Sequence, residues 1–337
     1  MSEIQIPEQI ARISIGLRSK CVLVTGANGL VGSTLVDLLI AADQAYGLGL
    51  SIAVLGRDRK ALDKRFSGNS QLRVIEADVC NVSLPELKVD YIVHAASPAH
   101  PLAYSQTPVD VMKANLIGTM NMLELAKRTG ARLLFVSSGE IYGVSDDPNS
   151  CFEESEYGYI EISNPRSCYP ESKRAAETLC ASYHAQYGVD TVTARLCHVY
   201  GPTITDKNSR ADAQFLRNAV QGQDIVMKSP GTQVRSFCYV KDAAAGLLYI
   251  LLKGVSGEAY NIANKDSVAT IRRYAEILAA LGGVAIRNEF PPEEEARGYS
   301  QVSRAVLDAA KLERLGWVPR YTLEQGLRET LEDHKSR

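Results

Sequence analysis

Short apolar runs alternate with longer amphipathic stretches through the first 200 residues. KCVLVTG (20–26), SIAVLG (51–56), LRVIEAD (72–78), DYIVHAAS (90–97) and RLLFVSS (132–138) are rich in Val, Ile and Leu and lack strict alternation. That pattern predicts parallel strands buried on both faces. LVGSTLVDLLIAA (30–42), PVDVMKANLIGTMNMLELAKRTG (108–130) and the stretch 169–187 predict helices, the second stopping at Gly130 behind basic residues. VDTVTARL (189–196) predicts one more strand. Such alternation builds right-handed βαβ units and a doubly wound α/β sheet of the Rossmann type.

After Gly201-Pro202 the elements shorten and the loops turn polar, through ITDKNSRADAQ and FPPEEEARGYS. This predicts a dinucleotide-binding domain over 1–200, with 1–19 as a small amphipathic appendage, and a smaller α+β substrate domain over 201–337. RSFCYVKDAAAGLLYILL (235–252) has the apolar density to fold back onto the first domain and interleave the two.

Composition narrows the function classes. With 337 residues, 45% hydrophobic and 23% charged, the chain can build a full core. A net charge of −2 removes the broad electrostatic case for nucleic acid or an anionic membrane. No stretch approaches the roughly 18 apolar residues of a membrane helix. Seven scattered cysteines, without CxxC pairs or metal-like His spacing, read as reduced thiols in a cytoplasmic protein that holds no metal.

TGANGLVG places Gly26, Gly29 and Gly32 between the first strand and the first long helix. Glycines there permit a tight turn, close approach of backbone to a pyrophosphate, and close helix–strand packing. Asp78-Val79 closes the third strand, where the carboxylate can meet an adenine amino group or cap a turn. At the end of the second strand stands Gly56-Arg57-Asp58. A carboxylate at that edge selects the ribose 2′-hydroxyl of NAD, and an arginine accommodates the 2′-phosphate of NADP. Gly56 holds the expected carboxylate position, so Arg57 and Asp58 leave NAD and NADP both open.

CYPESKRAAE sets Tyr169 and Lys173 on one face of a helix start. A lysine ammonium and a cationic nicotinamide beside a phenol favour the phenolate and lower its pKa from near 10. In FVSSGEIYG, Ser138 ends the fifth strand, at the edge where open α/β sheets bind ligands. Its hydroxyl can orient the same substrate oxygen. A redox enzyme needs all three together; a sensor that merely binds dinucleotide does not.

With HAASPAHP, NLIGTMNMLELAK, NPRSCYPESKRAAET, ARLCHVYGP and GTQVRSFCYVKD, the chain resembles the extended short-chain dehydrogenase/reductase family. The likeness lies in its nucleotide-sugar epimerase/dehydratase/decarboxylase branch and runs from about residue 20 to the C-terminus. HAASPAHP, NPRSCY and RSFCYV are most similar to UDP-glucuronate decarboxylases. The resemblance implies a tightly bound NAD, contacted by Asn28, Leu30, Val31, Ala95, Ala96 and Ser97 besides the glycines, Arg57, Asp78 and Val79. It implies a UDP-linked sugar in the C-terminal cleft, and a homodimer joined through the helices near 108–129 and 170–187. Ser138, Tyr169 and Lys173 would oxidise the sugar C4 hydroxyl, Lys173 also holding the nicotinamide ribose. Arg235 would bind the diphosphate, with His198 where relatives carry an asparagine. Glu140 and Arg210 would serve decarboxylation, Arg210 beside the sugar carboxylate. Gly139 departs from the pattern, standing where dehydratases have an aspartate and decarboxylases a serine. Epimerisation at C4, needing only the triad, is the alternative; 4,6-dehydration and NADP-dependent reduction come after it.

Overall fold

A computed structural model of the protein describes residues 8–69, 71–147, 149–203, 208–290 and 302–335. Its centre is a seven-stranded sheet, entirely parallel in its pairings, in the order β3-β2-β1-β4-β5-β6-β10. The strands are β1 Cys21–Thr25, β2 Ser51–Gly56, β3 Leu72–Glu76, β4 Tyr91–His94, β5 Arg132–Ser138, β6 Thr191–Leu196 and β10 Ala259–Ile262. The five apolar runs and VDTVTARL are the first six of these. Their central residues, Val22–Val24, Ile92, Val93 and Leu133–Phe135, are almost fully buried, which is why neither face needed polar residues.

Helices cover both faces. On one side α5 (Pro108–Thr129) and α6 (Cys168–Tyr187) lie on Leu23, Ala53, Ile92, Leu133 and Phe135 through Met122, Leu123, Ala126 and Ala176. Both end on a left-handed glycine, Gly130 and Gly188, as the stop signals require. On the other side lie α1 (Glu8–Ser14), α2 (Leu30–Tyr46), α3 (Arg59–Arg65) and α8 (Val240–Lys253). The N-terminal appendage thus joins the core from Ile10 onward: Ile10, Ile13 and Leu17 are buried against α2 and α8.

A second region carries the small strands. β7 (His198–Tyr200), β11 (Val268–Thr270) and β13 (Arg304–Ala305) all pair with β9 (Val234–Tyr239), and β8 (Ile225–Met227) pairs with β12 (Ile286–Asn288). The helices α7 (Ala211–Val220) and α9 (Ile271–Gly282) pack on each other beside them. Residues 204–207 and 291–300, which fall in the two polar stretches singled out above, and residue 301 lie outside the described residues. The chain returns to the first layer at α8, which packs on α2, and at β10, which extends the large sheet beside β6. The sequence reading placed 259–262 with the smaller domain. A four-residue strand gives no periodic signal of its own, and its partner lies more than sixty residues earlier.

Candidate active site

β1 sits between β2 and β4, so the strand order reverses beside it and opens a crevice at the C-terminal edge. The glycine loop lies there. Gly26 adopts φ 68° and its N–H donates to the Leu55 carbonyl at 3.1 Å. A Cβ on Gly26 would stand 2.7 Å from the Ala95 carbonyl group, and one on Gly32 would stand 2.4 Å from the Gly26 oxygen. The loop is therefore folded as tightly as backbone allows. Gly29 is the N-cap of α2, and its carbonyl accepts from Ser33. The N–H groups of Leu30, Val31 and Gly32 are the first-turn donors that a helix leaves free for an anion.

Ala95, Ala96 and Ser97 follow β4 across the crevice. The Ala96 N–H donates to Thr25 Oγ1 at 3.3 Å, and that hydroxyl also meets His94 Nδ1 at 2.8 Å. Burial pushes His94 down to about 3, so it is a neutral structural ring. The turn after β3 is fixed by Asp78, which accepts from the Cys80 N–H at 2.8 Å. Val79 is buried against α5, where Asn121 Nδ2 donates to its carbonyl at 2.7 Å. Asp58 is engaged as the N-cap of α3, accepting from the Ala61 N–H at 3.0 Å. Arg57 stays 74% exposed, 4.0 Å from Asp78.

At the same edge β5 ends on Ser138, and α6 begins with Tyr169 in its first turn. The structure brings Ser138, Tyr169 and Lys173 together: the Ser138 hydroxyl acts on the Tyr169 phenol, favouring its ionised form, and Lys173 Nζ lies 5.9 Å from the Tyr169 ring centre. Lys173 is 2% exposed and donates to the Val136 carbonyl at 2.8 Å. In the protein without its dinucleotide, burial first, then the charge of Glu140, hold Tyr169 up at about 12. Lys173 is itself pushed down to about 7 by burial, which weakens its hold on the phenolate.

The remaining candidates gather above the triad. Glu140 Oε2 pairs with Arg166 Nη1 at 3.2 Å. Arg210, the N-cap of α7, bears electrostatically on Tyr169, Tyr104 and Glu140, and stands 3.9 Å from Asp212. Asp212 is 4% exposed, and neither carboxylate oxygen has a hydrogen-bond partner. His198, edge-on to Phe237, is held near 4 by burial, against the pull of Asp212 and with the push of Arg210 and Arg235. Arg235 is 9% exposed, with Nη1 and Nη2 donating to the carbonyls of Val234, Val302 and Ser303. A Cβ on Gly139 would meet Leu307 Cδ1 at 3.0 Å, so any side chain there requires Leu307 to shift.

Sequence reasoning passed over Arg166, Tyr104 and Asp212. Arg166 stands inside NPRSCYPESK and was within reach of that motif; the roles of Tyr104 and Asp212 depend on contacts across 65 residues and across domains. Arg195 was also missed. It is buried with Glu177 at 2.8 Å and buttresses the end of β5, where Ser137 Oγ donates to the same carboxylate.

The family model of the NAD dependent epimerase/dehydratase family matches residues 22–263. The chain belongs to this family. Among its relatives, UDP-glucuronic acid decarboxylase 3 of Arabidopsis thaliana is 35% identical over 322 residues, covering 94% of this chain and 89% of that protein. UDP-glucuronic acid decarboxylase 1 of Danio rerio is 36% identical over 314 residues, covering 93% and 72%. Among solved structures, DesIV (dTDP-glucose 4,6-dehydratase) from Streptomyces venezuelae, with NAD and TYD bound, superimposes with a TM-score of 0.80 at 28% identity, covering 94% of this chain and 97% of that one.

An NAD-dependent family member must hold the dinucleotide, and the crevice fits it. The glycine loop has no room for side chains but leaves helix N–H groups free. Asn28 Oδ1 and Ser97 Oγ, on its two sides, are buried polar atoms without partners. Such atoms are costly unless a ligand satisfies them. Among the described residues no group of three His, Cys, Asp or Glu side chains could hold a metal ion, and no helix is long and apolar enough to cross a membrane.

Proposed function

We propose that the protein oxidises the C4 hydroxyl of a UDP-linked sugar with bound NAD, and that the sugar is glucuronate, decarboxylated through its 4-keto form. The observation that carries this reading is the position of Arg210. Its charge acts on both the buried Tyr169 phenol and Glu140, so a redox base and a cation for a sugar carboxylate stand together. The decarboxylase relatives support the choice of substrate.

Tyr169 removes the C4 hydroxyl proton, and Ser138 orients that oxygen. Bound NAD supplies the hydride acceptor and a positive ring that favours the phenolate. Lys173 holds the ribose next to Tyr169. The resulting β-keto acid loses carbon dioxide because the electron pair left at C5 delocalises into the C4 ketone. Arg210 fixes the carboxylate for that step, and Glu140, held by Arg166, handles the proton that C5 regains. Tyr169 then gives back its proton as the hydride returns to C4, so that the net change is loss of carbon dioxide alone. Gly26, Asn28, Gly29, Leu30, Val31 and Gly32 contact the dinucleotide phosphates and ribose. Arg57, Asp78 and Val79 face its adenosine end, with Ala95, Ala96 and Ser97 opposite the loop. His198 and Arg235 take the diphosphate of the sugar nucleotide, Arg235 through the donors its carbonyl contacts leave free. Residues 1–200 thus carry mainly the dinucleotide and 201–337 mainly the sugar nucleotide. Exposed Val109, Met112, Ile117 and Met120 on α5 support a homodimer through α5 and α6. Seven free cysteines support a cytoplasmic setting.

The test is incubation with NAD and UDP-glucuronate, UDP-glucose or dTDP-glucose, with products read by mass spectrometry. Loss of about 44 mass units from UDP-glucuronate alone is expected. Loss of about 18 units from a hexose nucleotide, or an isomer of unchanged mass separated by chromatography, would replace decarboxylation with dehydration or epimerisation.

A further inference from the structure

A second aromatic ring closes the wall beside Tyr169. Tyr104, on the short helix α4 (Pro101–Gln106), stacks on it with ring centres 4.8 Å apart and planes 18° from parallel. Tyr104 is 3% exposed. With Ala103, Val111 and Cys168 the two rings form a small apolar cluster separate from the two main cores.

The support around Tyr104 is specific. His100 caps α4, its Nδ1 accepting from the Ala103 N–H at 3.3 Å, and Leu102 N–H donates to Ser209 Oγ at 3.0 Å. Cys168 Sγ donates to the Tyr104 carbonyl at 3.9 Å, tying α4 to the residue before the phenol. The Arg166 guanidinium lies over the Tyr104 ring, 5.6 Å from its centre, while pairing with Glu140. A continuous set of contacts therefore runs from Glu140 through Arg166 and Tyr104 to Tyr169.

Tyr169 has a mechanical need for such support. It lies in the first turn of α6, where the helix frays most and its own hydrogen bonds restrain it least. A base displaced from its reacting atom by about 1 Å can lose on the order of 100-fold in rate. We propose that Tyr104 is a positioning residue, stacked on Tyr169 and held by Arg166, which fixes the phenol against Ser138 and keeps water from its ring. This rests on the reading that Tyr169 is the base.

The charged and titratable groups around the stacked pair are Glu140, Arg166, Arg210 and Lys173. Burial is the first cause of the high Tyr169 pKa. Removing the covering ring admits water, so the pH limb of kcat that reports the phenol moves to lower pH. The experiment uses full-length protein with NAD and UDP-glucuronate. Tyr104→Ala is expected to lower kcat about 10- to 100-fold with KM within about twofold, and to shift that limb. Tyr104→Phe keeps the flat ring and is expected to restore both rate and pH profile.

Tyr104→Ala with unchanged kcat would overturn the proposal, as would Tyr104→Phe losing as much as Ala. Should the Ala variant fail to fold by circular dichroism, Tyr104→Leu keeps apolar volume without a flat face. Full activity in that variant refutes the stacking role, and a rate loss with NADH binding retained supports it. Tyr169→Phe, measured beside them, separates the two claims: if it stays active, the base assignment fails whatever Tyr104 does.

Discussion

Lys173 is an ammonium group placed where water cannot reach it. It is 2% exposed, and burial brings its pKa from 10.5 to about 7, with Glu177 pulling modestly the other way. That fall corresponds to about 5 kcal/mol against the charged form in the folded state. Below pH 7 the whole penalty is present, because both folded and unfolded chains carry the proton. Between pH 7 and 10.5 the unfolded chain holds the proton that the folded chain has released, so stability rises with pH across that window. Lys173→Met removes the penalty but leaves the Val136 carbonyl without its donor, which costs about 1–3 kcal/mol. The balance is a stabilisation of about 2–4 kcal/mol at pH 6. For a chain of this length that corresponds to a rise of about 3–6 °C in Tm. Calorimetry of cofactor-stripped parent and variant at pH 6 and pH 10 checks it. The variant should melt higher at pH 6, lose that advantage by pH 10, and turn over no substrate at either. A variant less stable than the parent at pH 6, or a difference independent of pH, would refute the reasoning.

Tyr169→Phe should retain NADH binding, read by fluorescence, and lose about 100- to 10,000-fold in sugar-nucleotide turnover. Gly32→Ala drives a Cβ to 2.4 Å from the Gly26 oxygen, so NADH titration should show binding weakened about tenfold or more. Arg210→Ala should abolish carbon dioxide release while isothermal titration still detects UDP binding; an unchanged rate removes Arg210 from the reaction. Arg195→Met strands the buried Glu177 carboxylate and should lower unfolding free energy by about 3–5 kcal/mol in urea titration.

The sequence by itself determined the scaffold and its most local chemistry. The apolar runs fixed six parallel strands, Gly130 marked a helix end, and Gly26 to Gly32 announced the tight turn between β1 and α2. Each depends on interactions within a few residues, so each leaves a pattern in the chain. The order of Ser138, Tyr169 and Lys173 was equally legible, because strand ends in such a sheet share one edge.

Tertiary structure decided what those groups experience. Lys173 is four residues from Tyr169, a spacing that puts both on one face of the helix but says nothing of how far each is buried. The fold buries both, and desolvation is the first cause of each shift, leaving Lys173 near 7 and Tyr169 near 12. Asp58 was open to the ribose in the sequence and is engaged as a helix cap in the structure. Tyr104, Arg166 and Asp212 gained their places by approach across domains and across 65 residues. Solvent exclusion and long-range contact are properties of the packed molecule, and no local pattern of residues encodes them.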